Sequence, residues 1–120
     1  MAHTGTTDRR SAVIEVTDAD FDAEVLRERR RTVLVEFTAA WCGPCRQLAP
    51  VLAAVAEEEA DRLKVVVIDA DGNPDTVTRY GVLSMPTLLV FRDGEPVRQM
   101  VGARPKRKLL LELREQLATA

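Results

Sequence analysis

Two near-continuous apolar runs, Val33-Leu34-Val35 and Leu63 to Ile68, stand on either side of a helical pattern. In that pattern Leu48, Leu52, Val55 and Ala56 fall on one face. Apolar runs without alternation are strands buried on both sides, which marks a parallel sheet covered by helices. Strand, helix, strand in this order is a βαβ unit, and its crossover is right-handed. The chain is therefore α/β. Pro50 falls inside the helical pattern and is expected to kink it.

The flanking segments extend the same sheet. Val13 to Val16 is a short strand. Thr17 with Asp20 forms an acidic variant of a capping box, predicting a helix whose apolar face carries Phe21, Val25 and Leu26. Asp71-Gly72-Asn73-Pro74 is turn chemistry, and a short helix over Asp75 to Tyr80 is stopped by Gly81. Thr87 to Phe91 is the next strand. Asp93-Gly94 signals a tight hairpin, so Pro96 to Val101 runs antiparallel, and Pro96 places it at an edge. Pro105 opens a last helix, with Leu110, Leu113 and Leu117 expected to bury against the sheet. These elements make a mixed sheet of four or five strands with helices on both faces.

The chemistry concentrates at Cys42-Gly43-Pro44-Cys45, between the first apolar strand and its helix, and these are the only two cysteines. Cysteines three apart in a first helical turn are neighbours, roughly 5–6 Å apart at Cβ, close to what a disulfide needs. Pro44 suits a first turn, where a missing N–H costs nothing. Cys42 falls at the helix N-terminus, where free N–H groups and the dipole favour a thiolate, and Cys-X-X-Cys thiols titrate at about 3.5–7.5. Cys45, further into the helix, is expected to be more shielded. The asymmetry assigns attack to Cys42 and resolution to Cys45. A purely structural disulfide closing so short a loop would stabilise little. A zinc site needs about four ligands, and one histidine, His3, is all that joins the two cysteines. No metal is expected.

Composition narrows the classes further. The chain has 120 residues, 46% hydrophobic and 30% charged, with net charge −2. That length suits one domain: a polar tail over residues 1–11 and a single domain over 12–120. The charge gives no electrostatic case for nucleic acid or an anionic membrane, and no apolar run is long enough to span a bilayer. Arg9-Arg10 is followed by a stretch too short and too acidic for an export signal. The expected location is the cytoplasm, where disulfides are usually transient and catalytic.

Trp41-Cys42-Gly43-Pro44-Cys45 resembles the active-site sequence of the thioredoxin family, and the match extends from about Val16 to Leu117. Pro50, Asn73-Pro74, Tyr80-Gly81-Val82, Met85-Pro86-Thr87-Leu88, Phe91, Asp93-Gly94 and Val101-Gly102-Ala103 follow in the family's order. The resemblance implies the thioredoxin fold, a central mixed five-stranded sheet flanked by four helices. It implies a cis peptide before Pro86, beside the cysteines, with Met85 and Thr87 backbone groups available to an extended substrate. It further implies an apolar substrate-binding rim of Trp41, Gly43, Pro44, Met85, Pro86, Gly102 and Ala103 around Cys42. The implied activity is protein-disulfide reduction by a monomer with no cofactor of its own. Its partners would be disulfide-containing substrate proteins and a thioredoxin reductase dependent on flavin and NADPH.

Two positions depart from the family. Glu36 stands where an aspartate is usual, as the single charge in Val33-Leu34-Val35-Glu36-Phe37. A carboxylate in a dry sheet is costly unless paired or protonated, so its pKa should rise and make it a proton acceptor, unless its longer side chain reaches solvent and titrates ordinarily; the resemblance implies that the acid serves Cys45. The lysine often found near that acid is replaced by Val67. Thr38 stands where an aromatic is frequent, implying a smaller or wetter pocket behind the site. Two other readings share the motif: a thioredoxin-fold interaction module, because fold does not fix function, and a specialised oxidant or isomerase, which a high reduction potential would mark.

Overall fold

The computed structural model describes residues 12–118. The polar stretch expected over residues 1–11, with His3 and Arg9-Arg10, lies outside them. Five strands and four helices follow in the order β1 (Val13–Val16), α1 (Asp22–Leu26), β2 (Thr32–Thr38), α2 (Gly43–Glu58), β3 (Leu63–Asp69), α3 (Pro74–Tyr80), β4 (Thr87–Arg92), β5 (Glu95–Val101) and α4 (Lys106–Ala118). The sheet order is β1-β3-β2-β4-β5. β3 is parallel to both β1 and β2, whereas β4 is antiparallel to β2 and to β5.

The central strands are buried on both sides because period-2 alternation divides their side chains between two apolar layers. Leu34, Val65, Leu88 and Val90 pack with Leu48, Leu52 and Val55 of α2 and Leu109 and Leu113 of α4. Val33, Val35, Phe37, Val66 and Ile68 pack on the other face with Phe21, Val25 and Phe91. Phe21, Tyr80 and Phe91 form an aromatic triangle there, with centroids 5.4–5.9 Å apart, the spacing at which tilted and edge-to-face rings attract.

Several local expectations are revised. Thr17 to Asp20 is a turn: the Thr17 N–H donates to Asp20 Oδ1 at 2.6 Å, but the helix starts only at Asp22. That helix is one wide turn, closed by an i+5 bond from Arg27 N–H to Asp22 O at 3.0 Å. Helix α2 contains Pro50 within Gly43–Glu58, as the sequence pattern implies. In α4 the fully buried stripe is Leu109, Leu113 and Leu117, while Leu110 is half-buried and packs against the same core. Both stripes contain Leu113 and Leu117 at helical spacing, and the way the helix docks on the sheet selects i, i+4, i+8.

The hairpin is as the sequence implies. Asp93 and Gly94 both have positive φ, 52° and 81°, the geometry of a two-residue turn that matches strand twist. β5 occupies the sheet edge, where Pro96 can sit.

Candidate active site

The end of β2 delivers the chain to the site. Phe37 is the last fully buried residue of the strand, and Thr38 is its partly buried end. The chain then turns through Ala39 to Trp41 and enters α2, with Cys42 as the N-cap in extended conformation (φ −90°, ψ 107°). Gly43 and Pro44 fill the first helical positions, where proline lacks only a donor that would be unpaired anyway. Cys42 Sγ accepts the backbone N–H of Cys45 at 3.2 Å. The sulfur therefore takes the place a serine or aspartate oxygen occupies at an ordinary helix start.

Cys42 and Cys45 are joined as a disulfide with Cα atoms 5.3 Å apart. The expected difference in shielding is absent: Cys42 is 2% exposed and Cys45 4%. The reason is the segment before β4. Met85 packs against Ala39 and both cysteines, and its carbonyl oxygen lies 3.6 Å from Cys42 Sγ. The Met85–Pro86 peptide is cis. The Pro86 carbonyl in turn accepts the Gly102 N–H at 2.8 Å. Gly102 adopts φ +99°, a conformation side-chain-bearing residues rarely take. Thr87 already pairs with Phe37 on one side and Val101 on the other. Of the two residues expected to offer backbone groups, only Met85 stands outside the ladder.

Pro44, Trp41 and Ala103 are exposed, Gly43, Met85 and Gly102 are half-buried, and Pro86 is buried. Trp41 is 64% exposed, yet its indole is fixed: Nε1 donates to Asp71 Oδ2 at 2.8 Å. Asp71 read only as a turn former in the sequence. Arg46 was likewise silent; it follows Cys45 and its Nη1 donates to Ala40 O at 2.8 Å, bracing the turn into the helix. Leu83 is 95% exposed in the loop leading to Met85. An exposed leucine in a loop has no periodic signature in the sequence.

Glu36 is 2% exposed and points to the α2 side of the sheet. Its in-register neighbours are Val67 on β3 and Leu88 on β4, so neither strand supplies a cation. Its Oε2 is buried without a hydrogen-bond partner among the described residues. Burial alone pushes its pKa up, to about 7. Glu36, Thr38 and Cys45 line one open cavity of about 590 Å³. Thr38 thus lines the space behind the disulfide.

The described residues contain no cluster of three or more ligating side chains placed to hold a metal ion. What the arrangement offers is a reversible dithiol–disulfide pair at a helix N-terminus, with a buried carboxyl on the same cavity.

The thioredoxin family model matches residues 12–115. The chain is 49% identical to the thioredoxin of Mycobacterium tuberculosis over 108 residues, covering 90% of this chain and 92% of that protein. It is 43% identical to the thioredoxin of Alicyclobacillus acidocaldarius over 106 residues, 88% of this chain and 99% of that one. It is 46% identical over 112 residues to the bifunctional thioredoxin reductase/thioredoxin of Mycobacterium leprae, covering 92% of this chain and 24% of the relative. A match this long, over a five-stranded mixed sheet that presents two cysteines in disulfide contact, means that the chain belongs to the thioredoxin family and is a protein-disulfide reductase of its type.

Proposed function

We propose that the reductase works by dithiol–disulfide exchange in which Cys42 attacks and Cys45 resolves. The observation that carries the assignment is the helix-start position of Cys42, whose sulfur accepts the Cys45 N–H at 3.2 Å. In the reduced protein that N–H and the helix dipole favour a thiolate at Cys42. The thiolate attacks one sulfur of a substrate disulfide, forming a mixed disulfide, and the other substrate sulfur leaves and is protonated. Cys45 loses its proton, with Glu36 as acceptor across the shared cavity, and attacks Cys42 Sγ. The second substrate sulfur leaves as a thiolate and takes up a proton. Two electrons have passed to the substrate, and the Cys42–Cys45 disulfide remains, with no metal or organic cofactor in the exchange.

Trp41, Gly43, Pro44, Met85, Pro86, Gly102 and Ala103 form the surface that receives the substrate protein. Their support is physical: apolar and small groups gather around the sulfur pair, and exposed apolar patches mark interaction sites. Substrate backbone would meet the Met85 backbone, which stands outside the ladder. A flavin- and NADPH-dependent thioredoxin reductase would return the electrons; the two-part name of the Mycobacterium leprae relative supports such a pairing. The protein then acts as a monomer in cytoplasmic electron transport and redox homeostasis, as one domain over residues 12–120. Among the described residues no helix is long and apolar enough to cross a membrane.

The test is turbidimetric reduction of insulin by dithiothreitol. The protein accelerates it, and replacing either cysteine by serine abolishes the acceleration. A rate equal to that of dithiothreitol alone would refute the proposal.

A further inference from the structure

Thr87 with Val101 is the last pair of the β4–β5 ladder, so the sheet does not hold the chain beyond Val101. The Gly102-Ala103 segment is nevertheless fixed, and Arg104 fixes it. Its Nε donates to Gly102 O at 3.0 Å and its Nη2 to Val101 O at 2.8 Å. Its Nη1 donates to both carboxylate oxygens of Glu112, at 2.6 and 2.8 Å. All three guanidinium nitrogens are engaged, and the Arg104 side chain is only 7% exposed.

The far end of this clamp is rigid. Glu112 precedes the fully buried Leu113 on α4, and its backbone oxygen accepts Nη1 of Arg98 from β5 at 3.0 Å. At the near end the Gly102 N–H donates to Pro86 O, and the Met85 carbonyl lies 3.6 Å from Cys42 Sγ. One path of bonds therefore runs from α4 through Arg104 and Gly102 to the Met85–Pro86 peptide beside the sulfurs. Glycine samples positive and negative φ alike, so the φ of +99° at Gly102 is selected by these bonds and not by the residue. Arginine suits the place because its planar fork serves a carboxylate and two carbonyls at once, which a lysine ammonium does not.

We propose that Arg104, anchored by Glu112, is a positioning residue that sets affinity for protein substrates by holding Gly102-Ala103 in the conformation that meets the substrate chain. The inference rests on the reading of Gly102 and Ala103 as part of the substrate rim. The hydrogen bonds of Arg104 end at the rim and none reaches a sulfur. Its loss therefore weakens binding of a polypeptide and leaves the exchange chemistry of Cys42 and Cys45 in place.

The experiment compares oxidation of the pre-reduced protein by insulin and by bis(2-hydroxyethyl) disulfide, which has no chain to lay along the rim. Quenching, alkylation and mass spectrometry follow the cysteines. In Arg104→Met the insulin concentration for half-maximal rate should rise about tenfold or more, since small misplacements of positioning groups are costly. The limiting rate should hold, the mark of lost binding without lost chemistry. The rate with the small disulfide should stay within about twofold of the parent, because its reaction uses the sulfurs alone. Arg104→Lys keeps a cation beside Glu112 without the fork. It should show a smaller rise, and it supplies the same comparison if Arg104→Met does not fold. A lowered melting temperature with both reactions unchanged overturns the inference, because the pair is then only structural. Equal slowing of both reactions overturns it too, because the effect then lies at the sulfurs. Ala103→Glu, on the exposed rim itself, separates the two readings. If it weakens insulin and the Arg104 variants do not, the inference alone falls; if none of them does, the rim reading falls and the inference with it.

Discussion

Glu36 and Val67 stand opposite each other in the parallel β2–β3 ladder, so the buried carboxyl faces a hydrocarbon side chain where a cation could have stood. With burial as the sole cause, its pKa rises from 4.5 to about 7. The sign of the consequence follows. Between those values the folded protein keeps a proton that the unfolded chain has released, so stability falls as pH rises through that window and levels off above it.

Glu36→Gln should remove this slope. The gap between folded and unfolded values corresponds to about 3 kcal/mol, so the variant gains up to that amount near pH 8 and little near pH 4. Asp69, Glu15, Arg46 and Cys45 share the cavity and are unchanged by the substitution. Denaturant midpoints measured across pH check this. Parallel pH curves for the two proteins would mean that Glu36 ionises as an exposed carboxyl does.

Cys45→Ser should accumulate a mixed disulfide with substrate through Cys42, because the first attack remains and the resolving sulfur is gone. Mass spectrometry after tryptic digestion locates the adduct. Cys42→Ser should give no comparable adduct. An adduct that forms only through Cys45 would reverse the assignment of roles.

Asp18 reaches 58 residues along the chain to cap α3: its Oδ1 accepts the Thr76 N–H at 2.9 Å and the Thr76 hydroxyl at 2.6 Å. Its Oδ2 accepts the Asp75 N–H at 3.1 Å. The Thr76 hydroxyl, with these backbone donors, holds its carboxyl below the ordinary value of 3.8. The capped state is therefore stabilised above that value, and the benefit is lost as pH falls through the lowered one. Asp18→Ala should speed amide exchange at Asp75 and Thr76 at neutral pH, while exchange in β2 stays slow. Unchanged exchange at those two amides would show that the cap is dispensable.

Gly94→Ala should destabilise the fold. The residue sits at φ +81°, and an added Cβ would lie 2.8 Å from the backbone oxygen of Leu26. Strain at such a position costs on the order of 1–3 kcal/mol, which lowers the melting temperature by several degrees in a domain of this size. Thermal unfolding followed by circular dichroism reads it. A melting temperature equal to that of the parent would mean that the hairpin and the α1 terminus separate without loss.

Insulin reduction should survive Gly94→Ala at temperatures well below its transition, because the β4–β5 turn lies at the opposite end of β4 from Pro86. Loss of activity with the fold intact would tie the hairpin to the site.

The order and type of the elements were written in local pattern. Apolar runs such as Val33 to Val35 have no polar face to offer water, so they could only be strands covered on both sides. Asp93-Gly94 could close a two-residue turn because glycine, and to a lesser degree aspartate, accept positive φ. The dithiol was legible for a similar reason: Cys42 and Cys45 are close in sequence, and a helix start fixes their geometry locally.

Tertiary structure decided everything that joins distant segments. It centred the buried stripe of α4 on Leu109 and left Leu110 half-buried at its margin, since two stripes fit one helix and docking picks between them. It covered Cys42 with Met85 from 43 residues away, which erased the exposure difference expected from helix position. It tied Trp41 to Asp71 and Asp18 to Thr76, side-chain contacts that no periodicity encodes. Glu36 stands between the two cases. Its sequence context predicted a raised pKa. Only the register against Val67 and the cavity beside α2 fixed the surroundings in which the carboxyl is left unpaired, because desolvation depends on what every neighbouring strand and helix places around the group.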